Sequence, residues 1–76
     1  MIYQQYRRRV LRLTQHQLAD RAGVSRDVVG DVERGRVNPR LDELAKIARV
    51  LGVDPPERLL THVADPFEHD QPEPRS

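Results

Sequence analysis

Residues 13–35, LTQHQLADRAGVSRDVVGDVERG, leave almost no room between two segments that both carry apolar residues at helical spacing. Thr14 and Ser25 stand before these segments, and both belong to the residue types that cap a helix N-terminus. Gly23 lies between the segments and can adopt the left-handed conformation that ends a helix. The pattern predicts a helix over residues 15–22, a tight turn at Gly23 and another helix from Ser25 to about residue 34.

Two short helices joined through one glycine have to cross at a steep angle. Ala19 lies four residues before Gly23 and is small enough for the second of these helices to pass close over the first. Val29 and Val32 are expected to face the core, so the opposite face of their helix points outward. A short helix held in this way on a rigid support fits the major groove of DNA. The alternative is an ordinary helical hairpin that binds nothing.

The rest of the chain also has helical patterns, so the predicted fold class is all-α with five helices. The first helix has a polar face of arginines and ends near residue 12. Its predicted apolar face consists of Tyr3, Tyr6, Val10 and Leu11.

The fourth helix is expected to end at Gly52. Its apolar stripe consists of Leu41, Leu44, Ala48 and Leu51. The fifth helix is expected to start at residues 54–57, DPPE, because a cap, a proline and an acid stand there in the order typical of a helix start. Its apolar residues are Leu59, Leu60 and Val63. Residues 1–64 are therefore predicted to form one domain, and the proline-rich acidic residues 65–76 a disordered tail.

Composition argues against several classes of function. The 76 residues include no cysteine, so thiolate metal sites and disulfides are excluded, and a reducing cytoplasm is the expected location. The histidines His16, His62 and His69 are too scattered for metal ligands, so we expect neither a metal nor a cofactor. No set of nucleophile, base and orienting group stands out, and we expect no enzymatic activity. No apolar run approaches the roughly 20 residues of a membrane span.

The charges of the chain are unevenly divided. Residues 1–40 carry nine arginines and four acidic residues, whereas residues 41–76 carry four basic and eight acidic residues. All but one of the 13 basic residues are arginine, whose planar guanidinium suits contacts to phosphate and guanine. The first half of the chain is therefore expected to attract a polyanion.

Three motifs occur in order along the chain: LTQHQLADRAGVS at residues 13–25, ERGRVNP at 33–39 and LAKIARVLGV at 44–53. Together they resemble the helix-turn-helix domain of phage repressor and Cro-like (XRE-type) transcription regulators. The resemblance runs from residue 13 to about residue 60. It implies a compact five-helix domain that binds operator DNA, usually as a symmetric dimer.

The resemblance also implies roles for individual residues. The positions whose side chains reach base edges are Arg26, Asp27 and Asp31. The positions that contact the DNA backbone are Gln15, Ser25, Arg34, Arg36 and Asn38. Glu33 matches an acid that pairs with an arginine of the first helix; counting back from Thr14 this is Arg8, with the neighbouring Arg7 and Arg9 leaving the register open.

Three features depart from the family pattern. Asp27 and Asp31 are acidic where uncharged or basic residues are usual, and they form a like-charge pair at i,i+4. Gly30 lies inside the third helix, which indicates either a close approach by another backbone or a tolerated defect. Arg40 replaces the small capping residue usually found before the fourth helix.

Two classes of function follow from these observations. The first is a sequence-specific DNA-binding transcription regulator that forms a homodimer through Leu59, Leu60 and Val63 of the fifth helix, because one short helix reads only one half-site. The second is an antitoxin or other protein-interaction module of the same fold, in which residues 65–76 fold on a partner protein.

Overall fold

A computed structural model describes residues 1–36 and 39–67 of the chain. These residues form four α-helices followed by a short 3-10 helix. The elements are α1 (Tyr3–Val10), α2 (Gln15–Ala22), α3 (Arg26–Arg34), α4 (Leu41–Leu51) and the 3-10 helix Pro56–Leu60. The all-α fold class is confirmed, and the fifth α-helix is the part of the prediction that is wrong. No helix within the described residues combines the length and the apolar character that a membrane crossing needs.

The start of α2 has the predicted cap. The Thr14 hydroxyl accepts a hydrogen bond from the Gln17 N–H at 3.0 Å, and the Gln17 side chain accepts one from the Thr14 N–H at 2.9 Å. Two amides that the helix itself leaves without a partner are thereby satisfied. Ser25 caps α3 in a similar way, since its hydroxyl accepts from the Val28 N–H at 3.3 Å. Local sequence thus determines where both helices begin.

The hydrophobic core lies between α2, α3 and α4 and extends to the 3-10 helix. Val29 and Val32 are buried as predicted, and so is Ala19 at the crossing of α2 and α3. The residues of the core cluster are Leu13, Leu18, Ala19, Ala22, Val29, Leu44, Ile47, Ala48, Leu51, Val53 and Leu59. The fourth helix keeps its predicted stripe except at Leu41, which is 64% exposed.

The segment expected to form a fifth α-helix is held by the N-terminus instead. Its 3-10 helix ends at Leu60, and Thr61 returns to an extended conformation. The Thr61 carbonyl accepts from the Tyr3 N–H at 2.7 Å, and Ile2 forms an antiparallel bridge with His62. Because these backbone groups are satisfied by the N-terminal residues, the chain does not continue as a helix, and Val63 lies outside any helix.

Helix α1 buries a different face from the one predicted. Gln4 and Arg8 are completely buried, whereas Val10 and Leu11 are each 44% exposed. Gln4 and Arg8 are one turn apart and face α3, which offers them a carboxylate. The apolar pattern of the first helix therefore misled the prediction, because a polar pairing with α3 determines its orientation.

The aromatic residues of α1 are half-buried beneath side chains from the C-terminal part of the chain. The rings of Tyr3 and Tyr6 stack with 5.8 Å between centroids, and the Phe67 ring lies 6.0 Å from that of Tyr6. The guanidinium of Arg9 lies 4.3 Å from the centre of the Phe67 ring, a cation–π distance. Phe67, in the segment expected to be a tail, thus contacts α1, and the boundary at residue 64 stays a prediction. The remainder of the predicted tail, residues 68–76, lies outside the described residues.

The predicted dimer surface also has to be corrected. Leu59 is completely buried in the core of its own chain, so it is not available to a partner. Leu60 and Val63 are partly exposed. What remains of the predicted surface is therefore these two residues at the C-terminal side of the domain.

Candidate nucleic-acid interface

The turn between α2 and α3 fixes the orientation of α3. Gly23 has φ 72°, and its N–H donates to the Ala19 carbonyl at 2.9 Å. The Val24 N–H donates to the same carbonyl at 3.1 Å, which closes the end of α2. A Cβ atom at Gly23 would meet nothing within 4 Å, so glycine is required by the left-handed backbone and not by lack of space.

Helix α3 presents one face to the core and another to the outside. Val29 and Val32 are buried, whereas Arg26 and Asp27 are exposed at its N-terminal end. The Asp31 side chain is 35% exposed one turn further along. The three residues predicted to reach base edges thus lie on the accessible part of α3. Val28 of α3 is half-buried and packs against the core.

The residues predicted to contact the DNA backbone lie at the ends of α2 and α3. Gln15 is the first residue of α2, Ser25 precedes α3, and Arg34 is the last residue of α3. Arg36 is exposed just after the left-handed Gly35, and its N–H donates to the Asp31 carbonyl at 3.2 Å. Asn38, the remaining residue of this predicted group, lies outside the described residues.

A buried ion pair joins α1 to α3. The Arg8 Nε donates to Glu33 Oε2 at 2.9 Å, and Arg8 Nη2 donates to Glu33 Oε1 at 2.9 Å. The two side chains are 0% and 4% exposed. Arg8 Nη1 donates to the Leu13 carbonyl at 2.8 Å. The arginine that faces Glu33 is therefore Arg8, which settles the register among the three consecutive arginines of α1.

Two glutamines complete the surroundings of the Glu33 carboxylate. Gln4 Nε2 donates to Oε2 at 3.0 Å, and Gln15 Nε2 donates to Oε1 at 3.2 Å. Counting the two from Arg8, the carboxylate of this α3 residue thus accepts four hydrogen bonds from side chains of α1 and α2. Gln4 was missed by sequence reasoning, although it lies one turn before Arg8 and shares its face. Gln15 connects this buried network to the edge of α2.

Arg34 forms a second, looser pair with an acid of α3. Its Nη1 atom lies 3.9 Å from Asp31 Oδ1, and the two side chains are 55% and 35% exposed. The same Nη1 atom would lie 3.5 Å from a Cβ atom built on Gly30. Arg34 therefore bends back over α3 next to Gln15, whose Oε1 would lie 3.7 Å from that Cβ atom.

The described residues offer little to a metal ion. Within residues 1–36 and 39–67, no three His, Cys, Asp or Glu side chains come together closely enough to hold one. His16 lies 3.5 Å from Asp20 on the exposed side of α2, one turn away. The accessible groups around α3 are instead guanidinium, carboxylate, amide and hydroxyl groups, which form hydrogen bonds with phosphates and base edges.

The chain shares sequence with a helix-turn-helix family model and with proteins named as a repressor and a transcriptional regulator. The family model described as helix-turn-helix matches residues 5–58. An uncharacterized HTH-type transcriptional regulator of Methanothermobacter thermautotrophicus is 39% identical over 64 residues, which cover 84% of this chain and 83% of that protein. The immunity repressor protein of Bacillus phage phi105 is 46% identical over 46 residues. That match covers 60% of this chain and only 32% of the repressor, so the chain corresponds to about a third of the repressor's length.

Solved structures have the same arrangement of helices. The restriction-modification controller protein C.AhdI from Aeromonas hydrophila superposes with a TM-score of 0.67 and 35% identity, covering 75% of this chain and 85% of that one. The N-terminal DNA binding domain of SinR from Bacillus subtilis superposes with a TM-score of 0.69 and 26% identity, covering 88% and 90% of the two chains. With a family match over more than half of its length, the chain belongs to the helix-turn-helix family of DNA-binding transcription regulators.

Proposed function

We propose that this chain regulates transcription by binding a specific operator sequence, with α3 inserted in the major groove of double-stranded DNA. The observation that carries the proposal is the orientation of α3: Val29 and Val32 anchor it to the core, while Arg26 and Asp27 stay exposed at its N-terminal end. This is the end that contacts base edges in helix-turn-helix proteins. The names of the relatives, a repressor and a controller protein among them, favour a repressor or autoregulator.

The proposed contacts divide into two groups. Arg26 is the main attractive base contact, because a guanidinium donates two hydrogen bonds to guanine O6 and N7. Asp27 and Asp31 are placed to accept from cytosine amino groups. The backbone group holds α3 in register on the phosphates and consists of Gln15, Ser25, Arg34, Arg36 and Asn38.

The proposal includes a homodimer. One α3 reads only one half-site, and two-fold pairing would place two such helices about 34 Å apart, which is one turn of DNA. The partly exposed Leu60 and Val63 support a contact at the C-terminal side of the domain. Sedimentation of the protein, free and on DNA, tests this: a monomer at high concentration in both states contradicts the dimer.

Selection of bound DNA from a random pool tests the function itself. We expect an enriched sequence with two related half-sites whose centres are 10 to 10.5 base pairs apart. The Arg26→Ala variant is expected to lose this enrichment. The matched control is Arg49→Ala, which removes an exposed arginine from α4. Equal enrichment by the Arg26→Ala variant and the wild type contradicts the proposed role of α3.

The alternative function is a module whose C-terminal tail binds a partner protein. It rests on the acidic composition of residues 65–76. It also rests on Phe67, which lies against Tyr6 and Arg9 of α1. The salt dependence of the binding affinity distinguishes the two functions. DNA affinity falls steeply with salt when arginines replace counterions on phosphates, whereas binding through the tail is less sensitive. Under the proposed function the chain is not an enzyme and acts in the cytoplasm, where operator DNA is accessible.

A further inference from the structure

Phe67 fastens the C-terminal part of the chain to α1. Its ring centroid lies 6.0 Å from that of Tyr6, and the Arg9 guanidinium lies 4.3 Å from the centre of the same ring. Aromatic pairs and cation–π contacts each shift an equilibrium severalfold. The Phe67 N–H also donates to Asp65 Oδ1 at 2.8 Å, which turns the backbone just before the ring. The only phenylalanine of the chain therefore packs on the surface of α1 and lies outside the core cluster.

The backbone that leads to Phe67 is fixed by the N-terminal residue. The Val63 N–H donates to the Met1 carbonyl at 2.8 Å, and the Met1 amine donates to the Val63 carbonyl at 2.7 Å. Four residues further along the chain, the Phe67 ring reaches α1. The residues after Phe67 therefore start beside Arg9.

The nine residues after Phe67 are acidic in composition, whereas α1 is basic. Residues 68–76 contain three acidic residues and one arginine, and α1 contains three consecutive arginines at positions 7–9. Covalent geometry keeps the Cα atom of Glu68 about 3.8 Å from that of Phe67, and the Cα atom of Asp70 within roughly 11 Å of it. These separations do not exceed one Debye length by much, which is about 10 Å at 0.1 M salt. The attraction between these acids and the arginines is therefore only partly screened.

Helix α1 lies next to the proposed DNA-binding surface, because its Arg8 is hydrogen-bonded to Glu33 of α3. Nine extended residues span at most about 30 Å. The two shorter dimensions of the domain are 23 and 22 Å. A chain fastened at Phe67 is therefore long enough to bring its acids to Arg34 and Arg36, which are exposed and belong to the proposed backbone group.

We propose that residues 65–76, the C-terminal tail, bind the arginine surface of their own chain and compete with DNA for it, with Phe67 as the anchor. The arginine surface consists of Arg9, Arg12, Arg34 and Arg36. This inference rests on the proposed function, because DNA is the polyanion that the tail opposes. A tethered segment has an effective concentration in the millimolar range, so even weak exposed ion pairs form to a substantial extent. DNA displaces the tail because it presents a much denser row of negative charges.

The competition does not depend on base sequence. The tail weakens binding to operator and to random DNA alike, because it occupies guanidinium groups that contact phosphates. Sites with few favourable base contacts are then the first to lose the protein.

The anchor is tested in the full chain without DNA. Phe67 supplies the only phenylalanine signals of an NMR spectrum, and we expect nuclear Overhauser effects between its ring protons and those of Tyr6. A Phe67 ring without such effects overturns the proposal, whatever the DNA affinities are.

Neutralising two acids of the tail tests the competition. The Glu68→Gln/Asp70→Asn variant is expected to bind operator and random DNA about three- to tenfold more tightly than the wild type at 0.1 M salt. The matched control is Asp54→Asn/Glu57→Gln, which removes two exposed acids at the 3-10 helix and changes the net charge equally. We expect the control to gain less than about twofold. Equal gains for both variants show that only net charge matters and contradict the proposal.

Salt dependence distinguishes competition from a change in stability. Higher salt screens the tail from the arginines, so the gain of the Glu68→Gln/Asp70→Asn variant is expected to shrink. A plot of log affinity against log salt is then steeper for the variant than for the wild type. A gain that does not change with salt contradicts the proposal.

Removal of the ring tests its role as the anchor. Phe67→Ala is expected to raise DNA affinity about two- to threefold in the wild-type background, because the tail is held less firmly. In the Glu68→Gln/Asp70→Asn background it is expected to have no effect, because little competition remains to be weakened. Gains that multiply contradict the role of the anchor. Thermal denaturation checks that Phe67→Ala is folded, and the NMR and charge experiments do not depend on it.

The outcomes separate this inference from the proposed function. If the wild type binds neither operator nor random DNA, the proposed function and the competition both fail. If it binds DNA and the tail variants bind with the same affinity as the wild type, the competition alone fails.

Discussion

Helix α3 makes two arginine–carboxylate pairs within its last turn, and they differ in almost every physical respect. Glu33 and Arg8 form two hydrogen bonds of 2.9 Å between side chains that are 4% and 0% exposed. Asp31 and Arg34 approach only to 3.9 Å, with side chains that are 35% and 55% exposed. The same two chemical groups are thus used inside the domain and on its surface.

The difference follows from solvent access. A buried charge depends on its partner, because water cannot solvate it if the partner is removed. An exposed pair contributes little to stability, since water and ions compete with it, and its members can exchange partners readily. We infer that the Arg8–Glu33 pair fixes where α3 lies, whereas Asp31 and Arg34 act on what α3 binds.

Breaking the buried pair is expected to have the largest effect. Glu33→Ala leaves the Arg8 guanidinium buried without its carboxylate and removes acceptors from Gln4 and Gln15, so we expect a loss of about 3–5 kcal/mol in the free energy of unfolding. The free energy of unfolding of a small domain is only roughly 0.05–0.15 kcal/mol per residue. The variant is therefore expected to be close to unfolding. Urea denaturation measures the loss.

Asp31→Ala is the control for Glu33→Ala, because it removes the exposed carboxylate of the comparison. We expect the free energy of unfolding to change by no more than about 1 kcal/mol. Similar losses for Glu33→Ala and Asp31→Ala would show that burial does not distinguish the two pairs.

The sequence predicted those features that local chemistry determines. The caps at Thr14 and Ser25 and the turn at Gly23 depend on residues within a few positions of each other, and the structure forms all three. The alternation of buried and exposed residues in α3 also follows from local periodicity. The resemblance to a known family supplied the long-range pairing of Glu33, which composition and spacing alone do not reveal.

Features that depend on distant partners were predicted wrongly. The apolar pattern of Tyr3, Tyr6 and Val10 favoured a buried face for α1, but Gln4 and Arg8 are buried because Glu33, far along the chain, offers them a carboxylate. Likewise, the expected fifth helix is replaced by pairing with the N-terminal residues, which no periodicity near residue 60 indicates. The absence of a side-chain cap at Arg40, by contrast, agrees with its residue type.

Arg26 is an exposed arginine at the end of α3 opposite to the two arginine–carboxylate pairs, so its replacement tests binding separately from stability. Arg26→Ala is expected to weaken operator binding by about 1–3 kcal/mol, the range for a base-contacting arginine. Its free energy of unfolding is expected to stay within about 0.5 kcal/mol, since exposed side chains contribute little. Fluorescence anisotropy with operator DNA and urea denaturation measure the two quantities, with Arg49→Ala as the control. Loss of stability without loss of operator affinity would contradict a binding role.

Gly30 lies beside Asp31 and Arg34 in α3. Replacing it tests whether a glycine at this position lowers the stability of the domain. Alanine removes the entropic cost of a glycine inside a helix, and its Cβ atom would meet Arg34 and Gln15 only at 3.5–3.8 Å, which are ordinary contacts. We therefore expect Gly30→Ala to raise the free energy of unfolding by roughly 1 kcal/mol. If urea denaturation instead shows a lower free energy of unfolding, the added methyl group disturbs the buried hydrogen bonds of Glu33.

The smallest expected effect comes from Asp31, the exposed acid of the comparison. A carboxylate about 7 Å from a phosphate costs roughly 0.6 kcal/mol at the dielectric constant of water, before screening. Asp31 also lies 3.9 Å from Arg34 Nη1, so it competes with phosphate for that guanidinium. Both effects weaken binding to all DNA, whatever its sequence. We propose that at the operator this unfavourable energy is offset, because Asp31 accepts a hydrogen bond from a cytosine amino group there.

Asp31→Asn is therefore expected to tighten binding to random DNA by about 0.6 kcal/mol and to narrow the ratio between operator and random affinity. The amide removes the charge and keeps the size of the side chain, so the free energy of unfolding is expected to change little. Competition binding at two salt concentrations measures both affinities, and the gain on random DNA is expected to shrink at the higher one. If Asp31→Asn tightens operator and random DNA equally, Asp31 is only a repulsive charge and reads no base.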